Sequence, residues 1–160
     1  AGGADPSLNV GDVVVAMETT YHDAYCGDNC AYGQIMGMPK RYILSDKLIA
    51  IVQQFGSDCH AITMGLTVSG DWFVDSREKM REIMQRFPEA KAVDMESCSI
   101  AQVCYTFGVP FVSFRIISDV PLKDHKAEMY FDFWERLADG SFEVTHRFVE
   151  RLQQVGNVLK

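Results

Sequence analysis

At 160 residues, 48% apolar and 23% charged, the chain has the make-up of an ordinary globular domain with room for a real core. A net charge of −7 with scattered Lys and Arg argues against a surface for nucleic acid or an anionic membrane, both of which need clustered cations. No apolar run approaches the roughly 18 residues of a membrane-spanning helix.

The opening residues, Ala1-Gly2-Gly3-Ala4-Asp5-Pro6, are turn material leading into a β-branched strand predicted over Val10–Ala16. Residues 19–44 read as a long loop rich in Tyr, Gly and Cys, a length that signals a functional or partner-packing role. Within it His22, Cys26 and Cys30 are spaced by three residues, too widely for a typical zinc motif and without a fourth ligand, so no metal is expected. The five cysteines form no regular framework and are read as reduced thiols of a cytoplasmic protein. Ser45 N-caps a helix with Asp46 in its first turn, an apolar stripe of Leu48, Ile49, Val52 and Phe55, and a stop at Gly56.

A strand is predicted over Ala61–Val68, followed by Ser69-Gly70-Asp71-Trp72-Phe73-Val74, whose adjacent aromatics suit either stacking on a flat ligand or ordinary packing. Asp75 and Glu78 form a capping-box-like start to a helix that runs to Phe87 and stops at Pro88. In Ala92–Asp119 a short strand leads to a helix with Ile100, Val103, Cys104 and Phe107 on one apolar stripe, closed by Gly108 and Pro110. Phe111–Ile117 then reads as a parallel strand covered on both faces. Beyond a polar stretch, residues 129–155 carry helical stripes of Phe131, Trp134 and Leu137, then Phe148, Leu152 and Val155, interrupted near Gly140-Ser141. The alternation of strands and helices predicts an α/β layered fold with parallel pairing.

Open parallel sheets bind ligands at the C-terminal ends of their strands. Three predicted ends present Asp71-Trp72-Phe73, Asp94-Met95-Glu96 and Ser118-Asp119. Glu96 at a helix start offers two acceptor oxygens suited to a ribose diol, or a helix cap. Asp119 after an apolar strand suits a general acid, or the N-cap of the next element. Arg115 suits an anion or an attacking water, or a structural ion pair. The pattern alone supports a ligand site with two carboxylates and an aromatic wall.

The stretches AGGADPSLNVGDVVV, YHDAYCG with YGQ, SGDWFV, AVDMES and RIISDV resemble the 5′-methylthioadenosine/S-adenosylhomocysteine nucleosidases of the nucleoside phosphorylase superfamily. The resemblance implies a layered α/β/α fold with a mainly parallel mixed sheet, and hydrolysis of the N-glycosidic bond to release adenine and the 5′-thioribose. It implies that Phe73 lines the purine, that the Val74 backbone reads the adenine edge, and that Met95 and Glu96 contact the ribose. Asp119 would protonate purine N7 with support from Ser118, and Arg115 would help hold the attacking water. Asp94 is read as structural. No cofactor is implied. Residues 21–39 would sit at a homodimer interface and wall the neighbouring subunit's 5′-substituent pocket.

Relatives also have a segment ahead of the AGG turn, with the first strands and a water-activating glutamate. Residues 1–160 therefore resemble the C-terminal portion of one such domain, incomplete at its N-terminus. The 160-residue polypeptide alone is expected to be inactive and to need that segment as a partner. The alternatives are a phosphate-dependent purine nucleoside phosphorylase and a non-catalytic adenosine-binding fragment.

Overall fold

The computed structural model describes residues 1–55, 62–123, 133 and 145–154. Its sheet is organised around β2 (Val13–Tyr21), a strand rich in Val and Thr, residues whose branched side chains favour extended backbone. Along its whole length β2 pairs in parallel with β4 (Ile62–Ser69), which in turn pairs in parallel with β5 (Ala90–Asp94). With β4 on one edge, the other edge of β2 is shared by two short antiparallel strands. β6 (Phe114–Ile116) covers Val13–Val15, and β3 (Tyr42–Ile43) covers Glu18 and Thr19. β1 (Gly2–Gly3) lies antiparallel on β5, and Gly2 also bridges to Asp119 beyond β6, so the sheet curls back on itself. Because β2, β4 and β5 run the same way, Tyr21, Ser69 and Asp94 end at a common edge.

Helices flank this sheet. α1 (Asp46–Phe55) begins where Ser45 Oγ accepts from Leu48 N at 3.4 Å, as its sequence predicts, and buries Leu48, Ile51 and Val52 against Val15, Leu44 and Phe148. α2 (Arg77–Arg86) buries Met80 and Ile83 against Leu66, Val68 and Val93. α3 (Ser97–Thr106) lies over the opposite face, where the Tyr21 hydroxyl meets Gln102 Oε1 at 2.8 Å. The result is the expected layered α/β/α arrangement with a mixed sheet.

Residues 145–154 are helical, and the Phe148 ring sits 4.8 Å from that of Phe114. Gly56, Ala61, Phe131, Trp134, Leu137, Gly140, Ser141 and Val155 lie outside the described residues.

Several details depart from the sequence reading. The strand expected over Val10–Ala16 starts at Val13 and continues to Tyr21, because Gly11 (φ 91°) and Asp12 still belong to the preceding turn. The segment after Gly108 is not a parallel strand. Only Phe114–Ile116 pairs, and it does so antiparallel, on the edge of β2 that β4 leaves open. The cap of α2 is Ser76, whose Oγ accepts from Lys79 N at 3.3 Å, while Asp75 pairs instead with Lys79 Nζ at 2.8 Å.

The apolar stripe of α3 does not face the core. Ile100, Val103 and Phe107 are exposed, Phe107 at 77%. The small side chains of Ser97, Cys98 and Ala101 face inward, which lets the helix approach closely enough for Cys98 N to donate to Ser69 Oγ at 2.9 Å.

The long loop is tied to the end of β2. The Thr20 hydroxyl reaches the Gly33 and Lys40 carbonyl oxygens at 3.2 and 3.1 Å, one proton shared between them. Cys26 and Cys30 form a disulfide, with Cα atoms 5.8 Å apart across a turn in which Gly27 has φ 91°. The expectation of five reduced thiols is therefore corrected. Spacing in sequence does not reveal a loop that doubles back, and the cytoplasmic reading loses the support of reduced thiols.

Candidate active site

The end of β5 carries a dense polar cluster. The Asp94 side chain is 3% exposed and accepts from four donors. Ser69 Oγ and Ser97 N reach Oδ1 at 2.6 and 3.2 Å. Ser97 Oγ and Arg115 Nε both contact Oδ2. Ser97 Oγ also lies 2.8 Å from Ser113 Oγ. These donors come from the end of β4, the first turn of α3 and β6, so one buried carboxylate on β5 ties three other elements together, with Ser113 reaching it only through Ser97.

Arg115 extends a second nitrogen outward, Nη2 reaching Glu96 Oε2 at 3.0 Å. Glu96 occupies the N-cap position of α3, yet its side chain makes no capping hydrogen bond. The capping alternative for Glu96 is thus disfavoured, and its carboxylate projects to where Arg115 meets solvent.

Asp119 is buried, and its Oδ1 accepts from the Ser118 hydroxyl at 2.7 Å. The backbone of Ala1 and Gly3 holds this pair in place. Gly3 N donates to Asp119 O at 2.7 Å, and Ser118 N donates to Ala1 O at 2.9 Å. A Cβ at Gly2 would lie 3.0 Å from Val93 and one at Gly3 3.1 Å from Val120, so a larger residue at either would have to shift a neighbouring side chain by a few tenths of an ångström. The Ala1 nitrogen donates to Ile116 O at 3.0 Å, so residues 1–3 lie along residues 116–119. Asp94, Arg115 and Glu96 form one bonded chain of charges, and Asp119 lies four residues beyond Arg115 on the segment that β1 adjoins.

Of the predicted site residues, Arg115 is bonded to Glu96 and Ser118 to Asp119, the two pairs meeting on the single segment 115–119. Met95 is exposed next to Glu96. Phe73 is 61% exposed on the loop after β4, and Val74 packs partly against the α2 core. That loop is pinned from both sides. Lys79 Nζ donates to Phe73 O at 3.1 Å, and the Trp72 ring meets His22 edge-on at 5.5 Å. Gly70 N donates to Asp94 O at 3.2 Å, which links the loop to the polar cluster.

The model of the phosphorylase superfamily matches residues 1–153. The chain belongs to the phosphorylase superfamily. Among the relatives of this superfamily member is the 5′-methylthioadenosine/S-adenosylhomocysteine nucleosidase of Staphylococcus aureus (strain JH9), 43% identical over 155 residues, which span 95% of this chain and 67% of the relative. The nucleosidase of Neisseria meningitidis in complex with methylthio-immucillin-A superposes with a TM-score of 0.83 at 36% identity, covering 93% of this chain and 65% of that one. The S. pneumoniae nucleosidase with a transition-state inhibitor gives a TM-score of 0.85 at 30% identity, covering 95% and 66%. The chain spans about two thirds of the length of these relatives.

Sequence reasoning gave Asp94 a structural role and overlooked the serines around it. A faint signal exists, an Asp three residues before a Ser at a helix start, which matches the observed Ser97 N to Asp94 contact. Ser69 and Ser113 carry no such mark, because they reach the cluster only through the pairing of β4 with β5 and the approach of the segment ahead of β6. The same face holds Cys98, whose thiol burial pushes up to about 12, so it stays protonated beneath the site.

Proposed function

We propose that this protein hydrolyses the N-glycosidic bond of 5′-methylthioadenosine and S-adenosylhomocysteine, releasing adenine and the corresponding 5′-thioribose. The observation that carries the reading is that a buried Asp119, bonded to Ser118, closes the same segment whose Arg115 binds Glu96. Cleavage of an N-glycoside needs an acid at the leaving purine, a nucleophile opposite it, and stabilisation of positive charge on the ribosyl group. Asp119, steadied by Ser118, is assigned the acid that protonates N7, so that adenine leaves neutral. Glu96 is assigned the ribose diol, where its charge also favours a ribosyl-cation-like transition state. Arg115 is assigned a place beside the attacking water. Phe73 supplies a stacking face, the Val74 backbone reads the adenine edge, and Met95 lies along the sugar.

The relatives named above are themselves nucleosidases, and two are bound to nucleoside-like inhibitors, which supports a small-molecule substrate of that class. A homodimer through residues 21–39 belongs to the same proposal. Tyr25 and Met36 are exposed there, Met36 at 71%, as an apolar wall for a neighbour requires. The deciding assay is adenine release from 5′-methylthioadenosine by the full-length protein, with and without phosphate. Release at the same rate in both conditions is expected. Strict dependence on phosphate would replace hydrolysis with phosphorolysis.

A further inference from the structure

We propose that Asp94 is a positioning residue, which fixes the guanidinium of Arg115 and through it the carboxylate of Glu96. The inference rests on the nucleosidase reading for its catalytic consequence, but its geometry stands independently. A carboxylate has about four acceptor sites, and here four donors fill them. On Oδ2 the Nε of Arg115 is held together with Ser97 Oγ, which itself lies 3.0 Å from that Nε. The fork of the guanidinium is thereby divided, with Nε tied into the interior and Nη2 left to meet Glu96.

The outer contact cannot set that geometry by itself. Glu96 is 60% exposed at its side chain, and an exposed ion pair contributes little order to two long side chains. The buried end does so instead, because Asp94 is anchored by Ser69 from β4 and by the first turn of α3. A planar guanidinium held at one edge has its remaining N–H directions fixed, which a lysine in its place would lack. In the proposed reaction Asp94 touches neither substrate nor water. It acts only by setting where Arg115 points.

A purely structural Asp94 would cap α3 and stabilise the fold without this effect, so the test reads Arg115 directly. In the full-length protein, the 15Nε–H resonance of Arg115 is expected to be protected from solvent exchange in the wild type and to lose that protection in Asp94→Asn. Adenine-release kinetics on Asp94→Asn, Arg115→Ala and the double variant form the second arm. Asp94→Asn is expected to lower kcat about 10–100-fold in the wild-type background and less than about 3-fold further in Arg115→Ala. Equal losses in both backgrounds, or a protected Nε–H in Asp94→Asn, would overturn the proposal. If Asp94→Asn does not fold, Asp94→Ser takes its place, and an unprotected Arg115 Nε–H in the wild type overturns the idea without any variant. A wild type that releases no adenine removes the nucleosidase reading, while the Nε–H signal still decides whether Asp94 holds Arg115.

Discussion

Replacing Gly33 by Ala sets two backbone costs against each other in one loop. Gly33 and Gly37 both have positive φ, 87° and 79°, so alanine at either costs about 1–2 kcal/mol for a left-handed conformation. They differ in surroundings. A Cβ at Gly37 meets nothing within 4 Å, whereas at Gly33 it would lie 2.3 Å from the Tyr21 carbonyl oxygen and 2.8 Å from Thr20 Oγ1. The first of these is backbone at the end of β2 and cannot swing aside as a side chain does. An overlap of about 1 Å with it should cost roughly 2–3 kcal/mol more, through displacement of the loop and loss of its hydrogen bond from Thr20. The expected losses are therefore about 1–2 kcal/mol for Gly37→Ala and about 3–5 kcal/mol for Gly33→Ala. Equilibrium urea unfolding of the two variants measures both. Losses within about 0.5 kcal/mol of each other would refute the claim that the loop is seated on β2 through Gly33.

Arg115→Ala leaves the buried Asp94 without its cation and should cost about 3–5 kcal/mol, whereas Glu96→Gln removes an exposed partner and should cost less than about 1 kcal/mol; chemical denaturation giving the reverse order would contradict the division of Arg115 into buried and exposed halves. Burial lowers the pKa of His22 below its ordinary 6.5, against smaller raising effects from Asp23, Asp94 and Asp71. The unfolded chain therefore binds the proton first as pH falls through 6.5, and stability should decline from pH 7.5 to 5.5 more steeply in the wild type than in His22→Asn; parallel slopes would refute this. The Cys98 thiol, pushed up to about 12 by burial, should resist a thiol reagent at pH 8 until the protein is unfolded, and rapid labelling mapped to Cys98 in the native protein, rather than to the partly exposed Cys104, would contradict its placement.

The parts of the fold that the sequence revealed are those in which local chemistry agrees with tertiary context. Ser45 and the stripe of α1 mark a helix that does bury Leu48 and Val52, and Gly108, with φ 65°, does terminate α3. The failures arise where a neighbour decides. Thr19 and Thr20 look like the start of a loop, yet pairing with β4 keeps them in β2. The stripe of Ile100, Val103 and Phe107 has helical period, but period identifies a face and not what covers it. Close packing on Ser69 selects the small side chains of α3 instead. Glu96 and Asp119 could be singled out by position, whereas Asp94 needed the structure, because its donors are scattered from Ser69 to Arg115.

The nucleosidase reading meets its sharpest test when the full-length wild type is compared with Asp119→Asn on 5′-methylthioadenosine in phosphate-free buffer. Adenine release by the wild type is expected, with a loss of about 100-fold or more in kcat for Asp119→Asn, the size expected when a general acid is removed. An Asp119→Asn variant that releases adenine at the wild-type rate would contradict the assignment of Asp119 as the acid.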